Sequence, residues 1–577
     1  MLKRKWVVAP SCPQLHLEKF SQFSPLIAQI LYNRGITDLL QAKAFLVEDK
    51  IAGNSFQMLG METAVNRLRA AIQAGDPIAV YGDFDTDGVT ATALLVQTLR
   101  ALGAKAIPYI PHRVEEGYGL NKDALSTLKE KGMSVVVTVD CGTRSLEEVD
   151  FGMNLGLDMI VTDHHMVGPE LPTCCALVNP KQPGDPYPFK ELSGVGIAFK
   201  LAQALLEFET RAPVGPSVPG IRMITQEKLL DLVALGTVAD LVPLVGENRV
   251  LVKRGIKQLG ATERPGLMAL LQLAGARNRR IDAGTIGFFL GPRLNAAGRI
   301  DHARTAYKLL TTQYPGEAEG LAGNLEATNR ERQQMTETMI TEAREILAGQ
   351  PPDQRILIVG SPHFPEGIVG LIASKLSEEA YRPAIALHMG EAESRGSCRS
   401  IPEYNIVSAL DECADLLVRH GGHAAAAGFT VKNENLEALQ ARLRTIADRI
   451  FEGNEILPTL HIDVEANLPE MNWAMQDALD QLAPYGFGNR EPVFMTRGAW
   501  VRNARIVGSN HLSLLLSNGS AVWDGIAFRQ KEWMSALGQL PARVDVVYTL
   551  SRRNWGGEER LQLEVKDMRL SEAHNAR

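Results

Sequence analysis

The sequence predicts an α/β protein of several domains: a parallel-sheet domain, a long helix, a second α/β domain, and a terminal run of short strands. Three features carry this reading. From about residue 60, helix-spaced and strand-spaced segments alternate, the pattern of a parallel sheet covered on both faces. Between Leu321 and Leu347 a polar stretch carries one apolar stripe. After Leu457 the pattern changes to short strands with turns at SNGS and NWGG, which suits a small barrel or open sheet.

In chain order, residues 1–45 contain LIAQILYNRG and TDLLQAKAFL at helical spacing and read as a small N-terminal helical cap. Residues 46–320 form the first α/β domain. There the helical TAVNRLRAAIQA leads to the strand PIAVYG, then to the helical ATALLVQTLRAL and the apolar KAIPYIP. The β-rich runs VVVTVD, DMIVTD and CALVNP follow, and RAPVGPSVPG (211–220) reads as a loop. Met335, Met339, Ala343 and Leu347 recur every four residues and mark a connecting helix over 321–350, which Pro351 and Pro352 end. Residues 351–455 hold the second α/β domain, with RILIVG and AIALHM as strands and IVGLIASKLSEEA as helix. Residues 456–577 hold HLSLLLS, VDVVYTL and LQLEVKDM.

The chain has 577 residues, too many for one core, with 45% hydrophobic and 22% charged residues, as in ordinary globular protein. A net charge of -7 means that any nucleic-acid surface must be a local basic groove on an acidic molecule. Cys12, Cys141, Cys174, Cys175, Cys398 and Cys413 form no C-x-x-C pair, so neither a zinc ribbon nor a disulfide scaffold is expected. With no secretory leader pattern and no apolar run near the roughly 18 residues of a membrane span, a cytoplasmic enzyme without a membrane partner is the economical expectation.

Four clusters carry chemistry. YGDFDTDGVT places Asp83, Asp85 and Asp87 between a strand and a helix, and VTVDCG ends a strand at Asp140. VTDHHM places Asp163, His164 and His165 behind a third strand, and TVADLVPL puts Asp240 after a helical segment. One strand-end aspartate is usually a helix cap or turn residue. Three of these clusters, however, fall at the carboxyl ends of parallel strands, where open α/β sheets bind ligands. Several carboxylates with imidazole suit Mn²⁺ or Mg²⁺ better than a thiolate metal, and would repel one another without a cation.

The ordered set DFDTDG, VDCG, TDHH and VADLVP resembles the DHH phosphoesterase superfamily, and GGHAAAAGF, Gly421 to Phe429, looks like the signature of its companion DHHA1 domain. With GPRLNAAGR, Gly291 to Arg299, and the barrel-like tail, the chain is similar to the superfamily's single-strand-specific 5′→3′ exonucleases from about residue 45 onward. That likeness implies a DHH domain, a DHHA1 domain and an OB-like nucleic-acid-binding barrel. It implies Asp83, Asp85, Asp140, His164 and Asp240 as ligands of two divalent cations, Mn²⁺ or Mg²⁺. It also implies that His165 faces the scissile phosphate and that Asp163 supports the cluster. Asp87 reads either as a further support or as a turn residue.

On the substrate side, Arg113 lies in a loop with Gly117 and Gly119, while Arg293 and Arg299 flank small residues that allow close backbone approach. SRGSCRS joins a glycine read as exposed backbone, Gly396, to Ser397 and Arg399; in GGHAAAAG the glycines can aim amides at phosphate and His423 can add a donor. The resemblance implies that Arg113, Arg293, Ser397 and Arg399 surround a 5′-terminal phosphate. Trp555, at a hairpin beside Arg552 and Arg553, is a candidate for base stacking, whereas Trp500 and Trp523 read as core.

The expected function is metal-dependent 5′→3′ degradation of single-stranded DNA to mononucleotides by a monomer, in recombinational, mismatch and base-excision repair. The resemblance implies single-strand-binding protein and a RecQ-type helicase as partners. A phosphoesterase for small substrates would leave the tail beyond residue 457 without a purpose. A non-catalytic DNA-binding relative would not need all the ligand types.

Overall fold

The computed structural model describes residues 3–47, 53–113, 116–117, 119–211, 224–277, 279–300, 302–453, 455–555 and 558–571. The expected loop at 211–220 falls, beyond Arg211, outside the described residues, as do the glycines of the NWGG turn. The chain divides into two compact units: Met1–Glu48 with Leu457–Tyr485 and Asn489–Arg577, and Asp49–Ile456 with Gly486–Gly488.

The larger unit begins with a fully parallel sheet of β1 (Pro77–Gly82), β2 (Lys105–Tyr109), β3 (Val135–Val139), β4 (Asp158–Thr162) and β5 (Ala176–Val178). Its strand order is β2-β1-β3-β4-β5. All of VVVTV in β3 is buried, as a strand covered on both faces requires. The chain leaves β1 for one edge and returns through β3 on the other side, so the loops after β1 and β3 diverge and open a crevice at their carboxyl ends. The helices α1 (Thr86–Ala101), α3 (Gly194–Arg211) and α4 (Gln226–Ala239) pack on one another over the sheet, and α2 (Leu146–Asn154) packs against β4.

After α5 (Gly291–Ile300) comes the connecting helix α6, Pro315–Ala348. It begins before the expected Leu321 because Pro315 suits a first helical turn, where a missing N–H costs nothing. Its early residues Ala318, Ala322 and Leu325 belong to the core of the first domain. Its later residues Met335, Met339, Ala343 and Leu347 pack with Phe364, Ile368 and Ile372 of the second. One helix thereby joins two cores into one unit.

The second sheet comprises β6 (Leu357–Ser361), β7 (Ala384–Met389), β8 (Glu393–Arg399), β9 (Leu417–His423) and β10 (Ala426–Lys432), in the order β9-β10-β8-β7-β6. Only β6 and β7 run parallel. Helix α7 (Val369–Ala380) packs against β7 and β8. One sequence reading changes here, that of Gly396. GGHAAAAG forms the end of the β9–β10 hairpin, with Gly421 opposite Gly428 and His423 opposite Ala426. Gly396 is buried within β8, and an added Cβ there would lie 2.3 Å from the Phe429 ring. That glycine makes room for an aromatic side chain instead of baring its backbone.

In the other unit, β11 (Phe494–Val507), β12 (His511–Asn518), β13 (Ala521–Ala527), β14 (Ala542–Trp555) and β15 (Glu558–Leu570) close a five-stranded barrel in the order β11-β12-β13-β15-β14, with β14 pairing back to β11. The N-terminal segment, read as a cap of its own, is part of this unit. Lys5–Val8 pairs in parallel with Thr459–Ile462, and Phe20, Ile27, Ile30 and Leu31 share a core with Leu479, Phe494, Val546 and Tyr548. An amphipathic helix of nine residues, Pro25–Asn33, is too short to persist without such a surface.

All six tryptophans lie in this unit, so tryptophan fluorescence reads its unfolding alone. Ile30 is fully buried in the shared core, and Ile30→Ala should cost about 2–5 kcal/mol. The expected outcome is a lower urea midpoint for the fluorescence transition of the barrel unit.

Candidate metal centre

The crevice between β1 and β3 gathers the acidic clusters. Asp83 follows β1 directly, and Asp85 caps α1 by accepting from the Gly88 amide at 3.0 Å. Asp140 ends β3 with φ 63°, a left-handed conformation that a branched residue would rarely adopt. Asp240 lies at the end of α4, and Leu241 after it is again left-handed, φ 61°. Gly194 at the start of α3 is required by proximity, since an added Cβ would stand 2.5 Å from Asp140 Oδ1.

Three sets of side chains place ligand atoms within 4.8 Å of one another: Asp83, Asp85 and Asp140; Asp87, His164 and Asp240; and Asp140, His164 and His165. His164 Nε2 lies 3.1 Å from Asp140 Oδ1 and 3.6 Å from Asp240 Oδ2. None of these atoms makes a hydrogen bond, nor does Asp83 Oδ1, although all four are buried. Buried polar atoms without partners are expensive, and oxygens and a nitrogen converging in this way suit a cation between them.

The electrostatics agree. Burial and then Asp85 raise the Asp83 carboxyl, and burial with Asp87, Asp85 and Asp240 raises Asp140. Asp240 is pushed up to about 9 by burial and by Asp87 and Asp85, while His164 is pushed down to about 3 by burial and by His165. His164 is therefore the neutral imidazole a metal needs, and Asp83, Asp140 and Asp240 are held from ionising by burial and then by neighbouring charge.

Asp87 and Asp163 have other partners. Asp87 accepts from the Gly194 and Val195 amides at 2.7 and 2.9 Å, bracing the start of α3 against the cluster. Asp163 accepts from the amides of Thr143, His164 and His165 and from His165 Nδ1 at 2.7 Å. Burial opposes ionisation of Asp163, but these hydrogen bonds and the His165 charge outweigh it, and its pKa falls below the ordinary range. Burial likewise opposes charge on His165, and Asp163 outweighs it, so the His165 pKa rises. His165 and Asp163 line a pocket of ≈ 360 Å³ with Gly119, Gly142, Arg144, Ser145 and Met166, and across it Gly422 and His423 from the second domain.

A cationic cluster adjoins the carboxylates. Arg113 lies 4.8 Å from the Phe84 ring centroid and feels Asp83 and Asp85. Arg299 donates to the Gly367 carbonyl at 3.2 Å, and burial together with Arg113, Arg332 and Arg399 pushes it down to about 10. Arg399 donates to Ser397 Oγ at 3.2 Å, and both crowd Gly370 in the first turn of α7. Mutual repulsion in this group would be relieved by an anion.

The remaining sequence-derived candidates have other surroundings. Arg293 donates to Glu326 at 2.6 Å and to the Phe289 carbonyl at 2.7 Å, so it ties α5 to α6. His423 lies across the pocket beside His165, and Trp555 ends β14 with its side chain outside the described residues. Trp500, expected in the core, is 38% exposed, whereas Trp523 is half-buried and donates to the Leu468 carbonyl. Arg332 and Arg144 escaped sequence reading, because one sits on the polar side of a helix and the other carries no motif beyond following VDCG.

Comparison with known proteins matches the family models described as DHH family, N-terminal domain over residues 77–237, DHHA1 domain over 353–449 and RecJ OB domain over 462–567. Single-stranded-DNA-specific exonuclease RecJ of Bacillus subtilis is 39% identical over 565 residues, covering 97% of this chain and 69% of that protein. The RecJ of Escherichia coli is 33% identical over 563 residues, covering 95% and 96%. The crystal structure of RecJ with Mn²⁺ from Thermus thermophilus superposes with a TM-score of 0.82 at 30% identity, covering 99% of this chain and 80% of that one. Among the described residues no helix is long and apolar enough to cross a membrane.

The raised carboxyls set the pH dependence of the metal-free protein. A carboxyl whose folded pKa exceeds its unfolded value favours the fold below about pH 4, and that contribution is lost as pH rises through the folded value, near 9 for Asp240. Metal-free protein should therefore lose thermal stability from this group between pH 5 and pH 8. Asp240→Asn should reduce the pH 5-to-8 difference in Tm, and saturating Mn²⁺ should reduce it in the unmodified protein; both are read by calorimetry.

Proposed function

The chain belongs to the RecJ family of single-stranded-DNA-specific exonucleases, and from that premise we propose that it digests single-stranded DNA 5′→3′, releasing mononucleotides. The observation that carries the direction is the arginine cluster beside the carboxylate cluster in one compact unit. Arg113, Arg299, Arg332 and Arg399 with Ser397 would bind the 5′-terminal phosphate dianion, so that the next linkage meets the acidic crevice. An internal phosphate monoanion would engage the arginines less well, which favours ends over interior positions.

Asp83, Asp85 and Asp140, whose ligand atoms converge, would hold one divalent cation, and His164 with the two carboxylates nearest its Nε2, Asp140 and Asp240, a second, with Asp140 shared. Relatives crystallised with Mn²⁺ or Mg²⁺ support that choice of metal, as does the oxygen and imidazole donor set. Bound there, the cations supply positive charge to the scissile phosphate, its leaving 3′-oxygen and an attacking water. Asp163 orients His165 by holding Nδ1, and Nε2 on the opposite edge of the ring would donate to a phosphate oxygen. Asp87 braces α3 and so keeps Gly194 against Asp140. The pocket beside His165, ≈ 360 Å³, has room for one nucleotide unit, with His423 and Arg144 as donors at its rim. Action in cytoplasmic recombinational, mismatch and base-excision repair, as a monomer using ends opened by a RecQ-type helicase on strands coated by single-strand-binding protein, fits this chemistry.

The test is a single-stranded oligonucleotide labelled at either end, with blunt duplex as control. Early release of labelled mononucleotide from the 5′ end, abolished by EDTA, is the expected result; early release from the 3′ end would refute the direction. Asp140→Ala should abolish cleavage and leave single-strand binding intact, as read by anisotropy. Arg399→Ala should reduce the preference for 5′-phosphorylated over 5′-hydroxyl ends roughly 10–100-fold, the scale of one lost charged hydrogen bond.

A further inference from the structure

Beneath the DHH loop lies a polar bridge that the reading above does not use. Asn179 follows β5 and Thr143 follows the Asp140 loop after β3; both are fully buried. Asn179 Nδ2 donates to Thr143 Oγ1 at 3.0 Å and to the His165 carbonyl at 2.9 Å, while its Oδ1 accepts from the Lys181 amide at 2.9 Å. The Thr143 amide in turn donates to Asp163 Oδ2 at 2.9 Å, and the Asp163 amide donates to the Val178 carbonyl at 3.1 Å. The loops after β3, β4 and β5 are thus tied at one point, directly behind His165.

From this geometry we infer that Thr143 and Asn179 are positioning residues for His165. Neither touches a ligand atom of the carboxylate crevice in any hydrogen bond found among the described residues. Their hydrogen bonds converge on the backbone of His165 and on the carboxylate that holds its ring. Asn179 fixes where the His165 main chain runs, and Asp163, itself held by the Thr143 amide, fixes the ring edge. With both set, the imidazole has one orientation toward the pocket. A buried network whose members hold one another has that rigidity, and removing the Thr143 hydroxyl leaves an Asn179 amide hydrogen without its acceptor.

The inference rests on the proposed role of His165, so the test separates the two. Thr143→Val keeps the shape and the backbone amide but removes Oγ1, whereas Thr143→Ser keeps the hydroxyl. Asn179→Ala serves as the second variant and His165→Ala as the reference. On 5′-phosphorylated single strands with Mn²⁺, below the melting range of every variant, Thr143→Val and Asn179→Ala should lower kcat roughly 10–100-fold with KM and calorimetric Mn²⁺ affinity near those of the unmodified protein. Thr143→Ser should recover most of kcat. Unchanged kcat in Thr143→Val beside an inactive His165→Ala would overturn the positioning role. A fall in Mn²⁺ affinity that matches the fall in kcat would also overturn it, since the bridge would then serve the metal loops. Full activity in His165→Ala would instead overturn the reading of His165 itself.

Discussion

Like charge held out of water is the constraint on which the rest of this molecule depends. Asp83, Asp140 and Asp240 are raised by burial and then by neighbouring carboxylates, Asp85 for the first and Asp87 with Asp85 for the other two, and their facing oxygens have no hydrogen-bond donors among the described residues. Such a cluster is a liability for an isolated fold and an asset once a divalent cation sits in it. The surrounding architecture reads as the means of keeping the oxygens close. The adjacent strands β1 and β3 end at the crevice that the strand-order reversal opens, Asp140 takes a left-handed conformation, and Gly194 lets a helix end come within contact of its carboxylate.

The arginine cluster is the complementary half. Arg299 and Arg113 come from the first domain, Arg332 from the connecting helix, and Arg399 from the second domain, so their proximity depends on α6 sharing a core with both. Opposite charges thus stand side by side in one unit, with Arg113 and Arg299 both within reach of the Asp85 charge. Arg293 has the same charge and sits in the same GPRLNAAGR motif. Its ion pair with Glu326, however, commits it to holding α5 on α6.

Much of this was legible in the sequence, for a physical reason. Three of the four acidic clusters sit directly behind a strand, so local pattern alone marked Asp83, Asp140 and Asp163, and the four-residue apolar step marked α6. What stayed hidden depends on distant partners. Lys5–Val8 gives no sign that its neighbour is Thr459–Ile462, so the N-terminal segment looked independent. Gly396 looked like exposed backbone because Phe429, which fills its missing side chain, lies on another strand. Arg332 is one of several charged residues on a polar helix face, and only the folded arrangement distinguishes it. Asn179 sits in CALVNP, where the strand pattern drew the eye and the following polar residue carried no recognisable spacing.

The most direct test of this account is anomalous diffraction from crystals of the protein grown with Mn²⁺. The account predicts two peaks about 3.5–4 Å apart, one against Asp83, Asp85 and Asp140 and the other against Asp140, His164 and Asp240, with Asp140 common to both. Manganese bound only outside the crevice, or a crevice whose carboxylates pair with protein donors while Mn²⁺ is present, would contradict it.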